Sequence, residues 1–486
     1  MPLKIYNTLT NSKDVFKPLE EGKISMYVCG MTVYDYCHIG HARVLVSFDM
    51  ITRYLRSQNW EVSYVRNITD IDDKIINRAN ENGEHYTDLT ERFIDAMHED
   101  EKTLGVARPD QEPRATAYIQ DIIDMIQVLI DKDYAYACDN GDVYYRVAKF
   151  EGYGKLSNKN SEDLLAGARV NVGDVKEDPR DFALWKGVVS SERGKGAETA
   201  AGAESAAAVV TTVTWDTPWG AGRPGWHIEC SAMSKSCLGN TFDIHGGGPD
   251  LPFPHHENEI AQSEAANGCG FVNYWMHAGA VRVAGEKMSK SLGNFFTIRD
   301  VLKKYHPEVV RYLLISRHYR SAINYSEGNL VEARTGLERF YTALRDFSDV
   351  AATPINELGE SAIYQRFVEA MNDDFNTSVA LAAMYDLVRD LNTAAKAGET
   401  ARAQAMAAEL KAMGTIFGIL QSSPEEFLQA GGDGELDAAA IETLIAARVQ
   451  AKADKNWGRC DEIRDELKEQ GVVLEDSSEG TQWRRE

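Results

Sequence analysis

The amino-acid sequence predicts an α/β fold: a doubly wound parallel sheet that an α+β insertion splits in two, followed by an α-helical bundle and a small C-terminal α+β unit. A strand-like stretch at 24–30 precedes helical periodicity from 44 to 55 and a second strand-like stretch at 61–73. This order is the repeating unit of a parallel sheet. Strand and helix signals return from about 240 to 291, as though the same sheet resumed, and helical periodicity dominates beyond 300.

The interrupting and terminal segments have signals of their own. The insertion begins with a helical pattern at 119–130 and continues with a hairpin-like pattern at 142–156. Its last part, 190–214, is rich in Ala, Gly and Ser and offers little apolar surface to bury, so we expect a mobile surface loop there. The final unit contains a short strand candidate, GVVLED at 471–476.

These patterns divide the 486 residues into five parts. The predicted boundaries are 1–110 for the first half of the sheet domain, 111–215 for the insertion, 216–310 for the second half, 311–430 for the helical region and 431–486 for the C-terminal unit.

Composition and charge exclude several classes of protein. The formal net charge of -23 argues against a chain that wraps nucleic acid or anionic membrane over its whole surface. The first sixteen residues lack the basic and then apolar order of a signal peptide, and no run of eighteen apolar residues occurs. Seven scattered cysteines do not form a disulfide framework, so we expect reduced thiols or metal ligands and a cytoplasmic protein.

The first chemical motif is YCHIGHAR at 36–43, in which His38 and His41 lie where the first strand gives way to a helix. Helix N-termini attract anions, and Gly40 leaves room for a phosphate to approach closely. The pair therefore predicts a phosphate-binding site. The alternative is a helix cap beside a surface imidazole.

The second motif is KMSKSLGN at 287–294, which places Lys287 and Lys290 in a Gly-flanked loop before a helix. Two flexible ammonium groups beside small hydroxyl groups can clamp a polyphosphate whose negative charge grows as it leaves. The alternative is a solvated basic loop.

The third pattern is a set of metal-ligand types. Cys29 ends the first strand, Cys230 lies in GWHIECSAM, and His255 and Glu259 lie in PHHENE. His255 and Glu259 are four residues apart and Pro254 suits a first helical turn, so both are expected on one helical face. Sulfur, imidazole and carboxylate ligands together favour zinc.

Spacing leaves the choice of metal ligands open. His256 is three residues from Glu259 and can replace His255, and Cys237 competes with Cys230. Four protein ligands are also typical of a zinc ion with a purely structural role. A third possibility is that these cysteines are simply buried apolar residues.

The motif HIGH at 38–41 precedes the motif KMSKS at 287–291 on a predicted split nucleotide-binding sheet. In this order the two motifs resemble the signatures of class I aminoacyl-tRNA synthetases. The sequence around these motifs further resembles the cysteinyl-tRNA synthetase family, and the likeness extends over nearly the whole chain. It is clearest in the stretches MYVCGMTVYDYCHIGHAR, RNITDIDDKII, GWHIECSAM and FPHHENEIAQS. The resemblance implies a Rossmann-like catalytic domain, a helical region that contacts the tRNA stem and a C-terminal anticodon-binding unit.

The same resemblance assigns roles to residues. It implies one zinc ion per chain on Cys29, Cys230, His255 and Glu259, which favours His255 over His256 and Cys230 over Cys237. It implies catalytic roles for His38, His41, Lys287 and Lys290, with His38, His41 and Lys290 contacting ATP and its Mg²⁺. It implies an amino-acid pocket of Gly30, Thr32, Thr69, Trp226 and Asp250, and tRNA contacts at Trp457 and Asp461.

Two features depart from the family pattern. Pro249 stands in GGGPD where a serine is expected, and it is therefore expected to affect the orientation of Asp250. The loop at 190–214 is longer than expected.

The implied reaction joins L-cysteine to tRNA(Cys) through a cysteinyl adenylate, in a monomer that does not bind membrane. A zinc ion would bind the thiolate of cysteine and discriminate against serine, whose neutral hydroxyl group is a poor ligand for a soft metal. One alternative is a ligase that transfers the cysteinyl group to an amino sugar, as in mycothiol synthesis. Another is a non-catalytic, zinc-containing RNA-binding protein.

Overall fold

The computed structural model describes residues 1–159, 176–188, 213–283, 285–287, 295–359, 361–430, 436–477 and 480–485. Most of the predicted 190–214 loop and the predicted ATP contact Lys290 lie outside these residues. The chain divides into two compact units. Unit 1 comprises Met1–Ile298, His318–Ile323 and Met371–Asn376, and unit 2 comprises Arg299–Arg317, Asn324–Ala370 and Thr377–Glu486. The finer five-part division stays a prediction.

The strands, in chain order, are β1 (Lys4–Asn7), β2 (Ser12–Val15), β3 (Lys23–Thr32), β4 (Glu61–Thr69), β5 (Ala135–Ala137), β6 (Val143–Tyr145), β7 (Phe182–Gly187), β8 (Gly222–Pro224), β9 (Phe242–Gly247), β10 (Val272–His277), β11 (Val281–Val283), β12 (Glu286–Lys287), β13 (Ile323–Tyr325), β14 (Val472–Ser477) and β15 (Gly480–Arg485).

The α-helices are α1 (Ile39–Ser57), α2 (Asp73–Asn82), α3 (Tyr86–Thr103), α4 (Ile119–Asp131), α5 (Trp226–Leu238), α6 (Glu257–Asn267), α7 (Ile298–Leu302), α8 (Pro307–Ile315), α9 (Glu327–Leu344), α10 (Ala362–Asn372), α11 (Thr377–Lys396), α12 (Thr400–Phe417), α13 (Pro424–Gln429), α14 (Ala438–Ala453) and α15 (Trp457–Glu469). Among the described residues, no helix is both long enough and apolar enough to span a membrane.

A four-stranded parallel sheet forms the centre of unit 1, in the order β10-β9-β3-β4. The chain leaves β3 through α1 toward β4 on one side, whereas β9 continues through α6 to β10 on the other side. The strand order therefore reverses between β3 and β9, and such a switch point opens a crevice at the carboxyl ends of the strands. The predicted doubly wound parallel sheet is confirmed.

The insertion between β4 and β9 carries an antiparallel sheet in the order β5-β6-β7-β8. Its buried side chains share a core with α4, α5 and α6, which includes Ile126, Trp185, Ile228 and Ala261. The predicted α+β insertion is thereby confirmed. The helix α5, which follows β8 in the chain, packs against the core of this insertion.

Unit 2 consists mainly of helices, with α8 against α9 and α11 against α12. Its C-terminal part joins α14 and α15 to a hairpin of β14 and β15 around a small apolar core. The sequence predicted β14 but not β15. In TQWRRE only Trp483 is a large apolar residue, and its burial depends on the pairing of Leu474 with it across the hairpin.

One buried carboxylate joins distant segments of unit 1. Asp374 accepts hydrogen bonds from the Tyr319 hydroxyl group (2.9 Å), the Arg320 Nε (2.8 Å) and the Tyr6 amide (2.9 Å). Burial raises the pKa of the Asp374 carboxyl group, but His318, the Tyr6 amide and the charge of Arg320 together hold that pKa below its ordinary value. The ionised carboxylate is therefore the form that stabilises the fold.

Replacing Asp374 with Asn should lower the free energy of unfolding by about 3 kcal/mol at pH 7, since it leaves buried donors around a neutral amide. Asn tolerates the left-handed backbone at this position (φ 64°), so the loss reports the charge rather than backbone strain. A carboxyl group with a lowered folded pKa stabilises above its unfolded pKa, about 4, and loses this effect as the pH falls. The difference between the two proteins in thermal melts should thus shrink below about pH 4.

Asp373→Asn is the matched control. Asp373 is adjacent but exposed, and it pairs with Lys13 at 2.8 Å. Exposed pairs contribute at most about 1 kcal/mol, so this variant should melt close to the parent. Equal melting of both variants would contradict the role given to Asp374.

Candidate active site and metal centre

A cavity of about 480 Å³ lies at the switch point between β3 and β9. Its wall combines the carboxyl end of β3, the start of α1 and the loop that follows β9. Seven residues of the predicted site line it: Cys29, Gly30, Thr32, His38, His41, Trp226 and Asp250. The structure therefore brings the first signature motif and most of the predicted amino-acid pocket to one place.

The two signature histidines form a reciprocal cap at the N-terminus of α1. His38 Nδ1 accepts hydrogen bonds from the amides of Gly40 (3.0 Å) and His41 (3.3 Å), and His41 Nδ1 accepts one from the His38 amide (3.2 Å). The rings stack with their centroids 3.7 Å apart. Burial, and then the neighbouring His38, lowers the pKa of His41 to about 3. Since both Nδ1 atoms accept, each neutral ring carries its proton on Nε2.

The second signature motif is described only at its edges. Lys287 lies in the short strand β12, antiparallel to β11, and its side chain and residues 288–294 lie outside the described part. The residues that follow the motif return to the histidine turn: the Ile39 amide donates to the Phe296 carbonyl (3.1 Å) and the Ile298 amide to the Cys37 carbonyl (2.8 Å). The segment that follows the motif, from Phe295 onward, is thereby fixed beside the capped histidines.

Close backbone approach shapes the floor of the cavity. A Cβ atom at Gly30 would overlap the carbonyl oxygen of Asn67, so only glycine fits there. The Gly30 amide also donates a hydrogen bond to Asn67 Oδ1 at 2.8 Å. Thr69 lies differently from the expectation: it is buried and does not line the cavity, and its hydroxyl group donates to Glu229 Oε2 at 3.1 Å.

The four predicted metal ligands come together beneath Trp226. Their ligand atoms all lie within 4.8 Å of one another, and all four side chains are buried. Cys29 Sγ is 3.7 Å from Cys230 Sγ and 3.5 Å from Glu259 Oε1. His255 Nε2 is 3.0 Å from the same carboxylate oxygen. This group can hold a metal ion.

His255 is positioned differently from the sequence expectation. α6 begins only at Glu257, and the preceding turn, Pro252–His256, contains an extended residue at Phe253 (φ -142°, ψ 131°). His255 therefore lies outside the regular helix that carries Glu259. The two side chains still meet, because Phe253 is the only residue of this turn with non-helical backbone values, so His255 and Glu259 remain one helical turn apart.

Two neighbours orient the metal-ligand group. His255 Nδ1 is 2.9 Å from His227 Nδ1, and the His255 ring stacks on Trp226 with centroids 4.0 Å apart. His245 Nε2 is 2.9 Å from Glu259 Oε2, which leaves Oε1 toward the sulfur atoms. Sequence analysis missed His227 and His245 because strand register and helix packing bring them to the site. The only local signal was that His227 precedes Cys230 by three residues.

The alternatives that spacing left open fare differently. Cys237 belongs to none of the possible metal-ligand groups among the described residues, and its sulfur lies 3.7 Å from the Tyr118 hydroxyl group. His256 forms a second group with Cys29, His245 and Glu259. Its Nε2, however, is 4.0 Å from Glu259 Oε1, farther than that of His255. The geometry favours His255.

The charges of the group are arranged for a cation. A hydrogen bond from Cys29 lowers the pKa of Cys230 to about 6. Burial raises the pKa of Glu259, but His245 and His255 lower it to about 2. Burial lowers the pKa of His255, but Glu259 and Cys230 raise it to about 10. The buried anions thus require positive charge at their centre, which a proton on His255 supplies when no metal does.

The two predicted tRNA contacts lie in unit 2. Trp457 begins α15 and is 59% exposed, whereas the apolar core of this part is formed by other residues. Asp461 lies one turn later and pairs with Arg464 at 3.2 Å on the surface. Trp457 is therefore not the packing residue that an aromatic side chain in so small a unit would suggest.

Comparison with known families covers most of the chain. Residues 15–335 match the model of the tRNA synthetases class I (C) catalytic domain, 366–421 match the DALR domain, and 433–484 match the cysteinyl-tRNA ligase anticodon binding domain. The chain is 60% identical over 484 residues to the cysteine–tRNA ligase of Ectopseudomonas mendocina, which covers 100% of this chain and 99% of that protein. The chain belongs to the cysteine–tRNA ligase family. The ligase of Azotobacter vinelandii has the same 60% identity and coverage.

Solved structures confirm the fold class of this cysteine–tRNA ligase family member. Mycobacterium tuberculosis methionyl-tRNA synthetase, in complex with methionyl-adenylate, matches with a TM-score of 0.56 over 84% of this chain and 93% of that one. Since the sequence identity is 13%, the similarity concerns the fold alone.

The metal-ligand group passes a structural test of fit. His255 Nε2 is close to Glu259 but out of line for a hydrogen bond, so this buried nitrogen has no hydrogen-bond partner among the described residues. An unpaired buried nitrogen is costly, and metal coordination would remove that cost. Two sulfur atoms, one imidazole and one carboxylate also form a tetrahedral zinc-type set in kind and number.

Proposed function

We propose that this chain is a cytoplasmic, monomeric ligase that activates L-cysteine with ATP and transfers it to tRNA(Cys). The observation that carries the proposal is that one cavity is lined both by the capped histidine turn and by Cys29, whose sulfur belongs to the metal-ligand group. A metal ligand and phosphate-binding groups thus share one space of about 480 Å³, large enough for a small amino acid beside a nucleotide. Full-length similarity to cysteine–tRNA ligases supports it.

On the ATP side, His38 and His41 act as neutral hydrogen-bond donors. Their Nδ1 atoms accept hydrogen bonds from backbone amides, and their Nε2–H groups are the donors to phosphate oxygens at the N-terminus of α1. Lys290, with Lys287 in the same motif, neutralises the departing pyrophosphate together with the Mg²⁺ of ATP. Phe295, which follows Lys290 by five residues in the sequence, has its ring 5.1 Å from that of His38 between centroids.

On the cysteine side, Cys29, Cys230, His255 and Glu259 hold one zinc ion. When bound there, zinc supplies a site that takes the thiol as a thiolate and rejects the neutral hydroxyl group of serine. His227 fixes the proton of His255 on Nδ1, so that Nε2 faces the metal site. An ordinary pocket separates such similar side chains only modestly, so selectivity depends on these ligands.

The rest of the amino acid is held by the cavity wall. Gly30 and Thr32 line it from β3, Trp226 covers it, and the exposed carboxylate of Asp250 suits the ammonium group of cysteine. Pro249, which lines the cavity as well, restricts the backbone that carries Asp250. Thr69 acts through Glu229 rather than by contact.

The acceptor is tRNA rather than an amino sugar. Residues 433–484 match an anticodon binding domain, and the exposed Trp457 can stack on an unpaired base while Asp461 contacts a base edge. The helical region before it contacts the tRNA stem. A non-catalytic RNA-binding role leaves the arrangement of the capped histidines unexplained.

Lys290→Ala provides the test of the reaction. The parent protein should exchange pyrophosphate into ATP only when cysteine is present, and Lys290→Ala should slow this exchange by about 100-fold with little change in the KM for cysteine. The reason is that the ammonium group acts mainly on charge that develops as pyrophosphate leaves. Exchange kinetics at varied cysteine concentrations measure both quantities.

Lys303→Ala is the control, because the Lys303 side chain is 73% exposed and pairs with Asp300 on the surface. It should exchange pyrophosphate at the parental rate. A parent protein without cysteine-dependent exchange would refute the proposed reaction. A Lys290 variant with only a raised KM would refute the role of the lysine.

A further inference from the structure

Arg43 is a buried arginine in the first turns of α1 to which the proposed reaction gives no role. It follows the signature histidine His41 by two residues and is 1% exposed. Its Nη2 atom donates to the backbone carbonyl groups of His318 (2.7 Å), Tyr319 (3.0 Å) and Ser321 (3.2 Å). Burial lowers the pKa of Arg43 to about 10, so the guanidinium group is still charged at pH 7, and hydrogen bonds from a charged donor are strong. The start of α1 is therefore held to this stretch of backbone.

The same stretch of backbone supports one wall of the cavity. The Tyr319 carbonyl group, which the guanidinium group contacts, also accepts a hydrogen bond from the Gly279 amide at 2.7 Å. A Cβ atom at Gly279 would lie 2.2 Å from the Ser321 carbonyl oxygen, so only glycine allows this close approach. The Ile323 amide donates to the Ala280 carbonyl group at 2.9 Å. Gly279 and Ala280 line the cavity, so the guanidinium group and the cavity wall share one support.

This wall leads directly to the second signature motif. The strand β11 begins immediately after Ala280, and β12 pairs with it so that Lys287 lies opposite Arg282. In the proposed reaction the phosphates of ATP lie between the histidine turn and the motif lysines. The position of β11 relative to the start of α1 therefore decides how the two sets of groups meet the phosphates.

We propose that Arg43 is a positioning residue that holds the wall leading to the lysine motif in place relative to the histidine turn. This inference rests on the proposed function. Among the described residues, Arg43 is not part of the cavity lining, so it acts through the carbonyl groups of 318–321 rather than on a substrate. Groups that stabilise a departing pyrophosphate must be preorganised, and a displacement of about 1 Å can lower the rate by about 100-fold.

Arg43→Lys is the direct test, because lysine keeps the positive charge but is shorter and lacks the planar fork of donors. In the full-length protein, kcat for cysteine-dependent pyrophosphate exchange should fall about 30-fold, while the KM for cysteine stays within about twofold of the parental value. Zinc content should equal that of the parent, since the metal-ligand group is left intact.

Arg311→Lys is the matched control. Arg311 is a fully buried arginine of α8 in unit 2, and its Nε donates to the Phe417 carbonyl group at 2.6 Å. The control replaces the same kind of buried hydrogen bond away from the cavity. It should lower Tm, as Arg43→Lys also should, but keep the parental kcat for exchange.

A double-mutant cycle shows whether Arg43 acts through the motif. In a protein that carries both Lys287→Ala and Lys290→Ala, the groups that the wall positions are gone, so adding Arg43→Lys should lower kcat by less than about threefold. A purely structural arginine would instead lower kcat by the same factor in both backgrounds. Should Arg43→Lys not fold, Gly279→Ala takes its place in the cycle, because the added Cβ displaces the same wall from the Ser321 carbonyl group.

Parental kcat in Arg43→Lys would overturn the inference, as would an equal loss of kcat in Arg311→Lys or a full additional loss in the protein without the motif lysines. A parent protein without cysteine-dependent exchange would instead refute the proposed function. Parental exchange after loss of both motif lysines would refute the proposed role of those lysines and, with it, this inference.

Discussion

Replacing Cys230 with Ala is expected to release the metal ion and to lower kcat/KM for cysteine activation by about 1,000-fold or more, while ATP binding changes little. In the proposed site the metal contacts only the thiol of the substrate, and a metal contact of this kind contributes several kcal/mol, each 1.4 kcal/mol being tenfold. The proposed ATP contacts His38 and His41 lie elsewhere in the cavity wall, at the start of α1. Discrimination between cysteine and serine should fall by a similar factor, because the remaining pocket separates near-isosteres poorly.

Metal content by elemental analysis, together with pyrophosphate exchange for cysteine and for serine, checks this expectation. Cys237→Ala is the matched control, since Cys237 is half-buried, contacts Tyr118 and belongs to none of the metal-ligand groups found in the described part of the chain. It should keep full metal content and parental activity. Full metal content in Cys230→Ala would show that the second group, which contains His256 instead, holds the ion.

The parts of this site that local sequence determines could be predicted. A strand, a Gly-containing turn and an amphipathic helix are all local patterns, so the position of His38 and His41 at the start of α1 followed directly. The parallel order of the central sheet followed from the alternation of strands and helices. In both cases neighbours in sequence are also neighbours in space.

The rest depends on contacts between distant segments. His255 and His256 are adjacent, and the spacing of either from Glu259 suits a helix, so spacing could not choose between them. Resemblance to the family favoured His255, and the structure places its Nε2 nearer to Glu259 than that of His256. Tyr27 meets His245 only because β3 and β9 pair in one register. β15 was missed because its one buried aromatic residue, Trp483, gives no alternation of apolar and polar residues.

Truncation after residue 430 should preserve cysteine-dependent pyrophosphate exchange and lower kcat/KM for charging of tRNA(Cys) by about 1,000-fold. Adenylate formation involves no tRNA, and every proposed contact to ATP, zinc and cysteine precedes residue 295. A base stacked on an aromatic side chain contributes about 1–3 kcal/mol, so the loss of Trp457 and its neighbouring contacts removes about 4 kcal/mol of binding energy. Each 1.4 kcal/mol is a factor of ten.

A point variant is needed beside the truncation, because the C-terminal part also packs within unit 2. Arg345, buried in that unit, donates to Glu475 at 2.5 Å, and truncation would leave its charge without this partner. Trp457→Ala avoids this disturbance, since the side chain is 59% exposed, and it should lower charging about tenfold with unchanged pyrophosphate exchange. Parental charging by both proteins would mean that this part only packs and would favour the amino-sugar ligase. Loss of exchange in the truncated protein alone would mean that the C-terminal part supports the fold rather than tRNA binding.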